Sequence, residues 1–234
     1  MMGQRANMGA IRVDFNDNQL GMRWLEAALA LGNQVSLSFY FPGMTTEALS
    51  ELRARLVHYK PFSGRTYYEN SFNPEVFANS HDGITYLGVI NREVAAKEKS
   101  IYLPDFGITK DASVIVYDAN NAQFFKASNY LNIPIDGASF RLYLISAEPG
   151  VIWTNSSYEQ TRTEENLSIT LMGPSDIPGF SQIYFPNLSK IIFDGEIVPP
   201  SYQAGTGASE YDPDTGVITL RYDHASPHTV ELTR

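Results

Sequence analysis

The chain of 234 residues contains no cysteine. That absence excludes disulfides, thiolate nucleophiles, thiolate zinc sites and iron–sulfur clusters together. The fold therefore rests on buried apolar surface or on neighbouring subunits. Positive charge is scarce, with 17 Lys and Arg against 26 Asp and Glu, a formal net charge of −9 and a pI of about 4.9. A protein that tracks a nucleic-acid backbone needs a basic face to release counterions, and no run of Lys and Arg supplies one, so no nucleic-acid partner is expected. Long apolar runs are missing too. The longest patches, residues 24–31 and 35–41, fall far short of the ~20 residues that a membrane span requires. The first fifteen residues hold no apolar stretch of the kind that marks a secretory signal, so the expectation is a chain made in the cytoplasm, with no membrane insertion.

Chemical signatures are equally sparse. There is no Gly-x-Ser-x-Gly pentapeptide for a serine nucleophile. Gly205-Thr206-Gly207 lacks a third glycine and opens no helix, so neither a phosphate loop nor a dinucleotide fingerprint is present. His224 and His228 are four apart beside Asp223, a spacing that converges two imidazoles only on a helix. Pro227 argues against a helix there, which makes a polar hairpin loop the better reading. Asp212, Asp214 and Gly216 resemble the opening of a calcium loop, but the twelfth position is Asp223, not a bidentate Glu, and a turn preset by Pro213 is expected. No cofactor and no metal are expected. Three Asn-x-Ser/Thr sequons, at Asn155, Asn166 and Asn187, read as ordinary loop asparagines.

What is present is strand and turn. Residues 113–146 anchor the reading: Val114 and Val116 alternate with Ile115 and Tyr117, Asp118 to Asn121 supply turn chemistry, and Gln123 to Ala127 return antiparallel. Asp136-Gly137 then turns the chain into Phe140, Leu142 and Leu144. Similar alternation marks residues 35–41 and 167–171, and residues 84–90 and 217–222 read as further strands. Helical periodicity is confined to the first quarter. Residues 21–33 carry Met22, Leu25 and Leu29 on one face, and Thr45 is a plausible N-cap for a second helix through His58 with a buried stripe of Leu49, Leu52 and Leu56. Glu51 and Arg55 should pair on its wet side. Residues 60–83 read as a long irregular segment, and its aromatics Phe62, Tyr67, Tyr68 and Phe72 suggest contact with a partner. The expected fold is α+β, mainly antiparallel β and sandwich-like, with two N-terminal helices and long loops. A weak change of texture near 105–112 separates an α+β part, residues 1–110, from a β-rich part, residues 111–234.

Short strands joined by Asn, Asp and Gly turns, as in VYDANNAQFF and YDPDTGVITLRYD, resemble bacteriophage tail and baseplate proteins. The resemblance implies a non-enzymatic structural subunit of a virion, oligomeric, and in contact with copies of itself and neighbouring structural proteins. Phe62, Tyr67, Tyr68, Phe72 and Trp153, the last expected at a surface, are the candidate contact residues. Two alternatives come from the residues. A carbohydrate- or receptor-binding β-domain would use exposed aromatic rings, and a hydrolase would use carboxylates drawn from Glu148, Glu164, Glu165 and Asp176.

Overall fold

A computed structural model describes residues 18–32, 44–60, 64–199 and 209–234. The strands expected at 11–13 and 35–41, the N-terminal arm, Phe62, the Trp24 side chain and most of the 204–209 run lie outside the described residues. The architecture is α+β and mainly antiparallel β, with two α-helices, one short 3₁₀ helix (Leu103–Phe106) and seventeen strands described. The chain divides into two compact units, residues 1–43 with 59–147 and residues 44–58 with 148–234. The expected change of texture at 105–112 falls inside the first of these, and the division along the strand-rich chain lies at 147/148.

Unit 1 contains helix α1 (Asn18–Leu31) and strands β1 (Arg65–Tyr68), β2 (Val76–His81), β3 (Ile84–Asn91), β4 (Lys97–Tyr102), β5 (Val114–Asp118), β6 (Gln123–Ala127), β7 (Tyr130–Ile135) and β8 (Ser139–Ser146). Six strands form an antiparallel sheet in the order β1-β2-β3-β8-β5-β6, and β4 pairs with β7 in a separate ribbon. The period-2 pattern of β7 sets which of its faces is buried. Leu131, Ile133 and Ile135 of β7 point inward, while Tyr130, Asn132 and Pro134 face water. The inward set packs with Leu87, Val89, Val114, Val116, Tyr143 and Ile145 in one core. The opposite face of the sheet receives α1. At Gly88 a Cβ would sit 2.9 Å from the Ala30 Cβ and 2.6 Å from the Phe77 ring, so the helix approaches where the strand has no side chain.

The segment 60–83 is not one long irregular loop. Tyr67 and Tyr68, good strand formers, pair with Ala78 and Phe77 in the β1–β2 hairpin. Its turn is closed by Glu69, whose carboxylate accepts the Glu75 N–H at 2.9 Å.

Unit 2 contains helix α2 (Thr46–His58) and strands β9 (Gly150–Thr154), β10 (Ser157–Arg162), β11 (Asn166–Met172), β12 (Gly179–Tyr184), β13 (Lys190–Phe193), β14 (Glu196–Val198), β15 (Ser209–Asp212), β16 (Val217–Tyr222) and β17 (His228–Thr233). Sheets β10-β11-β17-β13-β14 and β15-β16-β12-β9 share a core that includes Leu167, Ile169, Leu171, Ile183, Ile218, Leu220, Val230 and Leu232. Each such side chain contributes about 1.5–3 kcal/mol on burial.

Helix α2 begins as expected, with the Ala48 N–H donating to Thr45 Oγ1 at 3.2 Å. Its buried face differs from the leucine stripe. Leu52, Ala54, Arg55 and His58 are buried, whereas Leu56 is 36% exposed. Arg55 keeps its ion pair with Glu51 at 2.7 Å but is buried, its guanidinium over the Trp153 ring. The long aliphatic stem and planar head let a charged residue occupy a helix's inner face. Trp153 is itself corrected: expected at a surface, it is 3% exposed and stacks on His58 at 5.1 Å.

Candidate functional site

A cleft of about 590 Å³ opens in unit 2. Three segments far apart in sequence line it: Thr46, Glu47 and Ser50 at the start of α2, residues 175–180 before and within β12, and Arg221, Tyr222 and Asp223 at the end of β16. The antiparallel pairing Gly179↔Tyr222 and Phe180↔Arg221 sets the second and third side by side. Asn155 ties the first to the second. Its Nδ2 donates to Ser50 Oγ and to the Pro178 carbonyl, each at 2.8 Å, and its Oδ1 accepts the Phe180 N–H at 2.9 Å. The sequon at Asn155 is thus a buried brace.

Behind the cleft runs a chain of buried polar groups. The Thr154 hydroxyl donates to the Phe180 carbonyl at 2.9 Å and lies 2.7 Å from Ser181 Oγ. Ser181 Oγ is 2.7 Å from the Tyr222 hydroxyl, which is 2.6 Å from Ser156 Oγ. Ser156 Oγ is 2.7 Å from His224 Nε2, and His224 Nδ1 is 2.6 Å from the Ile177 carbonyl. Thr154, Ser156 and Ser181 are fully buried, and the two rings nearly so. The His224 imidazole has room only because two neighbours are glycines: a Cβ at Gly173 or Gly179 would sit 2.3 or 2.8 Å from Nε2. Burial, foremost, holds His224 below the ordinary imidazole range, with Arg53 and His228 adding repulsion against the Ile177 and Pro174 carbonyls. Burial likewise raises the Tyr222 hydroxyl above its usual value.

The rim carries Glu47, Asp176, Asp223 and Arg221. Glu47 is held below the usual carboxylate range by its own backbone N–H and by the Thr45 hydroxyl, the reverse of the shift a general acid needs. Of the carboxylates singled out in the sequence, only Asp176 lines the cleft. Glu148 pairs with Arg162, and Glu164 and Glu165 are exposed between β10 and β11. His228 meets Asp194 at 2.7 Å and the Asp223 carbonyl at 2.6 Å, so the two histidines serve different neighbours. Among the described residues no group of three His, Asp or Glu could hold a metal ion.

The expected contact residues are not gathered. Tyr67 packs on the unit 1 core with the Arg65 guanidinium over its ring. Tyr68 is half-exposed, Phe72 is fully exposed, and Trp153 lies within unit 2. The sequence reading missed Ser156, Ser181 and Tyr222. No spacing announces them, because they meet only through strand pairing; the glycines at 173 and 179 were the one available sign of a buried ring.

No known protein family matches the chain, and no curated protein does. Among solved structures, it is similar to alpha-galactosidase I from Mortierella vinacea at 12% identity and a TM-score of 0.42, over 55% of this chain and 35% of that one. It is similar to an isomalto-dextranase from Arthrobacter globiformis with bound panose at 10% identity and a TM-score of 0.40, over 95% and 45%. A dextranase from Flavobacterium johnsoniae with bound glucose shares 12% identity, with a TM-score of 0.41, over 93% and 37%. The chain thus spans less than half the length of each. At these scores the likeness transfers no residue and no activity. One expectation is corrected: the three structures are named as an alpha-galactosidase, an isomalto-dextranase and a dextranase, and the reading of the chain as a non-enzyme is withdrawn. These matches give the tail and baseplate reading no support.

Proposed function

We propose that the chain is a carbohydrate-binding β-protein and that a saccharide occupies the unit 2 cleft. The observation that carries this is the composition of the lining. Ile177, Pro178 and Phe180 give an apolar floor, and Thr46, Ser50, Asp176, Arg221 and Asp223 give a rim of hydroxyls, carboxylates and one guanidinium. A sugar ring matches that pattern, with C–H faces for the floor and hydroxyls that both donate and accept for the rim. The test is calorimetric titration with panose, isomaltotriose and a galactosyl oligosaccharide, with product analysis of the same mixtures for cleavage. Phe180→Ala and Arg221→Ala should each weaken binding at least about tenfold, or ~1.4 kcal/mol. Unchanged affinity in both variants, or no binding of any saccharide, contradicts the reading.

A second reading, assembly with copies of itself or with other proteins, is supported by Phe72. Its ring is fully exposed at the tip of the β1–β2 hairpin, and Val94 is 94% exposed in the β3–β4 loop. Arg92 links the two loops by donating to the Pro74 carbonyl at 3.1 Å. Light scattering tests it: a wild-type oligomer that Phe72→Ser dissociates supports assembly, and a wild-type monomer at high concentration refutes it.

A further inference from the structure

Counting protons along the buried chain shows that it is incomplete when His224 is neutral. Five contacts run from the Phe180 carbonyl to the imidazole: Phe180 with Thr154, Thr154 with Ser181, Ser181 with Tyr222, Tyr222 with Ser156, and Ser156 with His224. Each needs one proton between its heavy atoms, and four hydroxyls supply four. His224 cannot lend its own first proton, because Nδ1 faces a carbonyl oxygen and has to be the protonated nitrogen. A second imidazole proton on Nε2 fills the deficit. Nε2–H then donates to Ser156, Ser156 to Tyr222, Tyr222 to Ser181, Ser181 to Thr154, and Thr154 to the Phe180 carbonyl. Every hydroxyl points the same way. Both ends of this directed chain, the Ile177 and Phe180 carbonyls, belong to one wall of the cleft.

We propose that His224 is a positioning residue for the cleft, and that its protonation aligns the Ser156–Tyr222–Ser181–Thr154 chain and fixes the 177–180 wall for its ligand. The ligand half of this proposal rests on the carbohydrate reading above; the alignment of the wall does not. The groups that face His224 are Arg53 from α2, Tyr222 on β16, His228 on β17 and the Ile177 and Pro174 carbonyls, with Asp223 next to it in the chain. Arg53 and His228 oppose a second proton and the carbonyls favour it. With burial the largest cause against it, uptake falls on the acid side of the ordinary imidazole value of about 6.5. A wall already ordered before binding loses less freedom when a ligand arrives, so affinity rises as the pH falls through the His224 transition.

Carbonyl ¹³C shifts of Ile177 and Phe180, followed by NMR against pH in the ligand-free chain, test the alignment directly. Both should move with the midpoint of the His224 imidazole nitrogens. In Tyr222→Phe the relay is cut between Ser156 and Ser181, so the Phe180 response should vanish while that of Ile177 persists. A purely structural His224 would not separate the two carbonyls. The proposal is overturned if Phe180 does not follow His224 in the wild type, or follows it undiminished in Tyr222→Phe. For the ligand half, saccharide affinity should rise at least about threefold from pH 8 to a pH below that midpoint, as expected for a pre-ordered wall, and His224→Gln should bind without pH dependence. A wild-type affinity that stays level across the transition overturns this half. If the carbonyls titrate as expected but no saccharide binds at any pH, the carbohydrate reading fails and the relay stands.

Discussion

Trp153 shows how a residue's neighbours decide its place. Glycine at 150 and asparagine at 155 suggest an exposed strand, yet the indole stacks on the His58 ring at 5.1 Å and has the Arg55 guanidinium over it at 5.7 Å. Truncation leaves a cavity and strips the His58 ring and the Arg55 guanidinium of their packing surface, so Trp153→Ala should cost about 3–5 kcal/mol of stability, read by urea unfolding. Glu75 and His224 are two of the groups that set the pH response. Glu75 lies 3.0 Å from both Lys97 and Lys99, whose hydrogen bonds hold its carboxyl below the usual range. Its contribution is present above the carboxylate's unfolded value and fades as pH falls through the lower folded one. His224, also lowered, has the same sense: stability is full above the imidazole's unfolded value and declines as the unfolded chain takes up the proton first. Acid titration of the unfolding free energy should therefore show an upper loss, shared with His81, whose imidazole is also lowered by burial, that shrinks in His224→Gln, and a lower loss that shrinks in Glu75→Gln. An upper loss that is undiminished in His224→Gln contradicts the assignment.

At the scale of elements, the local signals were legible and the partners were not. Asp118 closes the β5–β6 hairpin as its turn chemistry implies, accepting the Asn120 and Asn121 N–H groups at 2.9 and 3.2 Å. Alternation in 130–135 shows a half-buried strand, but nothing in it says that β7 leaves the sheet to pair with β4, since pairing depends on residues 28 to 38 positions away. The same limit hid the cleft, whose three lining segments are joined by sheet register and by Asn155. Thr45, legible as a cap, should cost about 1 kcal/mol when changed to Ala. Gly88 was not legible as a contact point, because its reason lies on another element. Gly88→Val should cost about 1–3 kcal/mol by pushing against Ala30, Phe77 and Phe140. Thermal unfolding of both variants checks the order, with the larger loss expected for Gly88→Val.

For the whole molecule, composition excluded more than it identified. A net charge of −9 without cysteine rules out thiol chemistry and leaves the strand-rich core as the source of order, and each unit has such a core of its own. Function falls to what the cores hold in place, and the cleft of unit 2 is the one described site where an apolar floor, a polar rim and a buried relay coincide. Amide chemical-shift mapping with panose and isomaltotriose on the full chain is the most direct test. The account predicts saturable shifts concentrated at residues 46–50, 175–180 and 221–223, lost together in Phe180→Ala. Saturable shifts that map elsewhere, or none at millimolar saccharide, would contradict it.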